Sequence, residues 1–160
     1  MVLICNQNNP KEQLMLDENN QQCPVARALE VIGDRWALMI LRDTFDGLRR
    51  FSELQRNLGL AKNILAARLK LLVEAGLLAQ QPASDGSAYK EYVLTEKGHS
   101  VFPIVVGLRQ WGERFLFVEG ESRSQLLDDR DQPLETLQVR AKDGRAVGPD
   151  DCHRRVIRHS

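Results

Sequence analysis

Side chains able to do chemistry are few in this chain and widely spaced. Its cysteines, Cys5, Cys23 and Cys152, are odd in number and fit neither a disulfide scaffold nor a CxxC zinc ribbon. Cys23 stands out because it directly precedes Pro24 at the start of a helical pattern. There, unsatisfied amides and the helix dipole favour a thiolate, and Arg27 lies one turn on. The plainer reading of Cys23 is a small capping or buried residue. Cys152, His153 and His159, combined with Cys5 or Cys23, match no metal-ligand spacing, so neither metal nor cofactor is expected. His99 reads as a surface or dimer-edge residue. No Ser–His–Asp order, glycine-rich phosphate loop or carboxylate pair in an apolar setting occurs, so no catalytic residue and no enzymatic activity are expected.

A cluster of cations remains. Between Arg35 and Leu72 stand Arg35, Arg42, Arg49, Arg50, Arg56, Lys62, Arg68 and Lys70, against Asp43, Asp46 and Glu53. Yet the whole chain has 22 basic and 22 acidic residues and no net charge. Zero net charge argues against a uniformly basic nucleic-acid coat, but it leaves a localised contact open.

The elements that must carry these residues follow from apolar spacing. Val25, Ala28, Leu29, Ile32 and Trp36 have the rhythm of a helix face, interrupted at Gly33-Asp34; a second helix runs from Trp36 to Phe45. Ser52 to Gln55 reads as a capping box with Ser52 as N-cap, opening a short helix that turns Leu54 and Leu58 inward and closes at Gly59. A longer helix from Lys62 to Ala75 buries Leu65, Leu69 and Leu72, with Gly76 at its end. Short helix, turn and longer helix make the length pattern of a helix-turn-helix. Lys62, Asn63, Ala66, Ala67 and Lys70 fall on the face opposite the leucines, where such a helix meets a major groove; a solvated surface is the plainer alternative. Leu77 to Gln81 and Tyr89 to Leu94 read as strands joined by a turn-rich loop, which makes a wing. Thr95 is expected to cap a last helix running to about Phe117. On it, Val101, Ile104, Leu108, Trp111 and Phe115 form a narrow seam, part of which must cover the domain's own core while the rest suits a two-fold partner.

The expected fold class is α+β, mainly α: a winged helix-turn-helix with a long C-terminal dimerisation helix and a small C-terminal β-hairpin extension. Residues 1–22 form a polar arm, 23–120 the winged-helix domain and 121–160 the extension. In the extension, Leu137, Val139 and Ala141 alternate before a type I′ turn signal at Asp143-Gly144. No apolar run is long enough for a membrane span and the first residues lack the build of a secretory leader, so the cytoplasm is the expected location and no membrane contact is expected.

Read together, several blocks resemble the HxlR-type winged-helix transcriptional regulators, relatives of the MarR group. They are Cys23-Pro24-Val25, Asp34-Arg35-Trp36 with Ile40-Leu41-Arg42, and Arg50-Phe51-Ser52-Glu53-Leu54. Leu65-Ala66-Ala67-Arg68-Leu69, Gly76-Leu77, Glu91 to Gly98 and the late Trp111 continue the series in register over about 23–118. The resemblance implies a homodimeric, sequence-specific DNA-binding regulator, often a repressor, with its first and last helices at the dimer interface: Val25 and Leu29 on one, Ile104, Leu108, Trp111 and Phe115 on the other. It also implies that Cys23 can sense oxidants or electrophiles, as some members do with a cysteine at this position. A small-molecule or electrophile effector is therefore a partner to consider, beside double-stranded DNA. The candidate DNA contacts are Arg49 and Arg50 as phosphate clamps, Ser52 at its helix start, Lys62, Asn63, Ala66 and Arg68 on the recognition helix, and Lys90 on the wing. Family members often carry Ser, Lys or Thr where this chain has Ala61, Asn63 and Ala66, so the base-reading set is thin. Arg68, near the inner edge of its helix, has a competing role as partner of a core-flanking carboxylate. The rival reading is a winged-helix protein–protein interaction module without operator binding.

Overall fold

The structure, a computed structural model, describes residues 22–157. Residues 1–21 of the polar arm, with Cys5, and His159 at the other end lie outside the described residues. Helix α1 spans Pro24–Ile32, with Cys23 at its N-cap and Pro24 in its first turn, where a missing N–H is harmless. Helix α2 spans Arg35–Phe45 and is capped by Asp34, whose Oδ1 accepts from the Trp36 and Ala37 amides at 2.9 and 3.3 Å. Helices α3 (Phe51–Leu58) and α4 (Lys62–Glu74) form the helix-turn-helix. Between them Gly59 takes φ +64°, a conformation that glycine adopts without steric cost. Strands β1 (Leu78–Pro82) and β2 (Lys90–Leu94) pair antiparallel, from Leu78 opposite Leu94 to Pro82 opposite Lys90.

By internal contacts the chain forms two units, one up to Glu96 and one from Lys97. The core of the first is assembled where α2 meets α3, α4 and β2, and where α4 meets β1. Ile40, Leu41, Leu54, Leu65, Leu69, Leu72, Leu77 and Leu78 are all but inaccessible there. Each contributes on the order of 1.5–3 kcal/mol by leaving water. The core also holds a carboxylate. Asp43, 1% exposed, receives the Arg42 Nε at 2.8 Å on one oxygen and the Asn57 amide at 2.7 Å on the other, which ties α2 to α3.

In the second unit the expected single last helix is broken. A short helix α5 (Glu96–His99) ends before Val101, and α6 runs Phe102–Phe115. Pro103 is the cause, since it has no N–H to continue the preceding turn and is at home in the first turn of a new one. Val101, the first residue of the seam, is buried as the residue preceding α6 and belongs to the part of the stripe that covers the core. The extension lies along α6. Gln110 donates to the Glu135 carbonyl at 2.8 Å and accepts from the Leu137 amide at 2.7 Å, pinning the chain from both sides. The hairpin is narrow, with one bridge, Arg140 to Ala146, around Asp143-Gly144. Its turn is not type I′: only Gly144 has positive φ, Gly144 donates to Ala141, and Ala141 donates to Arg145. That pattern is a type I turn followed by a left-handed glycine. A second turn repeats it with Asp131 at φ +57° and Asp128 donating to Gln132.

The buried carboxylate makes a stability prediction. Asp43→Ala strands Asn57 and Arg42 and should cost about 3 kcal/mol. It should lower the urea midpoint with an unchanged slope, whereas an unaltered midpoint would show that the tie is not structural.

Candidate nucleic-acid interface

The leucine stripe of α4 decides what its other face can do. With Leu65 and Leu69 at 0% exposure, Lys62, Asn63, Ala66, Ala67 and Lys70 are left exposed, as the spacing predicts. Lys62 occupies the first helical position, and Ala61, the N-cap, makes no side-chain cap bond. The face is therefore led by one cation, one amide side chain and the helix's own first amides, followed by small residues. Spacing alone missed Ile64, which is exposed on the same helix and offers an apolar surface of the kind that meets a thymine methyl.

The arginines sort differently. Arg68 is paired with Asp34 at 3.0 Å, the competing role expected from its position. Arg50 is ion-paired with Asp85 in the wing loop, and its Nε lies 3.8 Å from Glu91. Its pKa is raised, first by the hydrogen bond to Asp85 and then by that carboxylate's charge. Asp85 is correspondingly held well below the usual carboxylate range, by Arg50 first and by Ser87 next. Arg42 belongs to Asp43, and Lys70 lies 3.7 Å from Glu74. Arg35 stacks over Trp36 at 4.1 Å. Among the described residues, Arg49, Arg56, Lys62 and Lys90 take part in no salt bridge.

Ser52 is not the N-cap expected of it. Arg50 holds that position, and Ser52 is exposed in the first turn of α3. The N-terminal start of α3 is closed by Glu53, whose Oε2 accepts from the Arg50 amide at 2.9 Å and the Arg49 amide at 3.1 Å. A phosphate approaching those amides would meet a carboxylate already in place. The cap lies two residues before Ser52: the helix starts at Phe51, so Glu53 is the third helical residue and reaches back to the N-cap.

The wing is better anchored than a two-stranded hairpin. The Tyr92 amide donates to the Arg49 carbonyl at 2.8 Å and Arg50 bridges Glu91, so the chain entering α3 runs beside β2. Lys90 and Tyr89 are exposed at the start of β2, Tyr89 by 73%. Cys23 is half-buried at its helix start, and its carbonyl receives the Arg27 amide at 3.1 Å. A shallow groove of about 270 Å³ with Val31, Ala37, Leu71 and Leu72 among its walls runs beside the Asp34–Arg68 pair. On α1, Val25 and Leu29 are exposed; on α6, Ile104, Leu108, Trp111 and Phe115 are, each by about half, with the Trp111 and Phe115 rings 5.8 Å apart.

Helix-turn-helix followed by an antiparallel wing defines a winged-helix protein. A model of the HxlR-like helix-turn-helix family matches residues 31–119, and the chain belongs to that family. The HTH-type transcriptional regulator Rv3095 of Mycobacterium tuberculosis is 49% identical over 92 residues, 58% of either chain. The chain thus spans little more than half the length of that relative. Among solved structures, PA1607, described as a candidate transcription factor, is similar with a TM-score of 0.81 at 50% identity, over 87% of this chain and 98% of its own. The redox regulator HypR in its oxidized form is similar with a TM-score of 0.54 at 32% identity, over 60% of this chain and all of its own. The match to PA1607 extends well past the family segment, into the residues after 119.

Glu53 carries a pH prediction. Its pKa is lowered by the two backbone N–H donors, Arg50's first. A carboxyl depressed on folding contributes stability that is present above its unfolded pKa, about 4.3, and lost as pH falls through the folded value. Glu53→Gln should therefore be less stable than wild type at pH 7, and the gap should close as pH drops below about 4. A gap that is constant with pH would contradict the cap.

Proposed function

We propose that this chain is a sequence-specific, DNA-binding transcription regulator that acts in the cytoplasm as a homodimer on a pseudo-palindromic operator, in the sense of a repressor. The observation that carries the reading is the exposed Lys62–Asn63–Ala66 face of α4, set opposite a fully buried leucine stripe and followed directly by a wing. Membership of the HxlR-like family and the naming of relatives as transcriptional regulators support it. In this reading α4 enters the major groove, Arg49 and Lys62 neutralise phosphates, Asn63 reads a base edge, and Lys90 and Ser52 add backbone contacts. Arg50 and Arg68 act indirectly, through the carboxylates that hold them. The DNA-binding domain is taken as 23–120, with an arm before it and an extension after it.

Half-exposed Leu108, Trp111 and Phe115 on one face of α6 support dimerisation, because a monomer gains nothing from leaving such a stripe in water. A two-fold dimer would present two recognition helices about 34 Å apart, one turn of duplex. Cys23 at a helix start, with similarity to a redox regulator, supports a response to oxidants or electrophiles.

Three outcomes test this. Arg49→Ala with Lys62→Ala should abolish operator binding; if the protein retains full affinity, α4 is not the reading surface, and the interaction-module reading takes its place. Leu108→Asp should convert a dimer to monomer in sedimentation, and a wild-type chain that sediments as monomer at micromolar concentration would contradict the dimer. Diamide should alter operator affinity in wild type and leave Cys23→Ser unaffected; an equal response in both removes Cys23 from the mechanism.

A further inference from the structure

Arg50 was expected to clamp a phosphate, but its surroundings are wrong for that. Its guanidinium faces Asp85 from the wing loop and Glu91 from β2. Glu91 is 3% exposed. Its Oε1 accepts from the Ser84 amide at 3.2 Å and the Ser84 hydroxyl at 2.9 Å. Its Oε2 is buried with no hydrogen-bond partner among the described residues. A carboxylate so placed needs a counter-ion, because neither solvent nor further donors reach it. Arg50 is the cation at hand. One guanidinium between two carboxylates has no positive charge left over, so Arg50 offers none to an incoming phosphate.

The same cluster joins three parts of the chain. Arg50 opens α3, Asp85 sits in the wing loop with its Oδ1 on the Ser87 amide at 3.0 Å, and Glu91 lies in β2. The backbone makes the same connection through the Arg50–Glu91 bridge and the Tyr92–Arg49 bond. The geometry points to Arg50, Asp85 and Glu91 as a latch that sets the wing on the helix-turn-helix: Arg50 is a positioning residue for DNA binding and not a phosphate contact. What the latch holds out is Tyr89 and Lys90, both exposed beside it. This rests on the DNA-binding reading above and deepens it, since the wing's placement would decide which part of a duplex those two side chains reach.

The two roles of Arg50 differ in salt dependence. A phosphate contact contributes about 0.9 to the slope of log affinity against log salt, whereas a positioning residue contributes none. The experiment compares Arg50→Gln, Glu91→Gln and the double variant in the full chain. Affinity for a duplex selected from a random-sequence pool is measured over a salt series. Hydrogen exchange of the Tyr92 amide is followed without DNA. Each single change should speed Tyr92 exchange and weaken binding about tenfold at unchanged salt slope. The double variant, which removes the buried charge together with its partner, should bind no worse than the weaker single one, and it keeps the test valid if Arg50→Gln alone folds poorly. The latch is overturned if Arg50→Gln, or the double variant, flattens the slope by about 0.9 per lost contact. It is equally overturned if Glu91→Gln tightens binding, or if Tyr92 exchange stays at the wild-type rate in all three. Should the wild-type chain select no duplex, the DNA-binding reading fails, and Tyr92 exchange still decides the latch.

Discussion

A carboxylate withdrawn from water must be met by a cation or by N–H donors, and that condition organises this winged helix. Asp43 draws Arg42 and Asn57 and so joins α2 to α3. Buried Glu91, with the exposed Asp85 beside it, draws Arg50 and joins the wing to the start of α3. Asp34 caps α2 with one oxygen and holds Arg68 of the recognition helix with the other. Each is a joint between elements that the leucine core alone would leave free to slide, because apolar contacts are not directional. The cost of breaking such a joint lies mostly in the group left behind.

The condition also decides which cations remain for a polyanion. The stretch from Arg35 to Leu72 carries a surplus of positive charge, but its arginines are not equivalent. Those beside a partly or fully buried carboxylate are committed to the protein. Arg49, Arg56 and Lys62 are not in salt bridges among the described residues, and they lie before, within and just after the short helix of the helix-turn-helix. A chain of zero net charge can thus present a small positive surface, built from what its own carboxylates leave over.

What the sequence made legible is what period and local chemistry encode. The buried Leu65–Leu69–Leu72 stripe, the exposed face opposite it, the wing and the exposed α6 seam all follow from spacing of three and four or two residues. Contacts between distant positions were not legible. Asn57 meets Asp43 across 14 residues and Arg50 meets Asp85 across 35, and no local pattern announces either. Boundaries suffered for a different reason. Ser52 is an ordinary N-cap residue, so it masked the true start at Phe51, where a glutamate does the capping. Pro103 fits a continuous helix by apolar period, yet it sits in the first turn of a new one. Arg68 was the intermediate case, because its place at the inner edge of the stripe already suggested a carboxylate partner.

The exposed recognition face, the latched wing and the apolar seam make one account only if two copies read one DNA site. The most direct test is to select duplexes bound by the full chain from fragments of its source genome and to footprint the site recovered. A two-fold dimer should yield an inverted repeat whose half-site centres lie about 34 Å apart, protected on one face of the duplex. Recovery of no preferred sequence, or of a single half-site without a dyad, would contradict it.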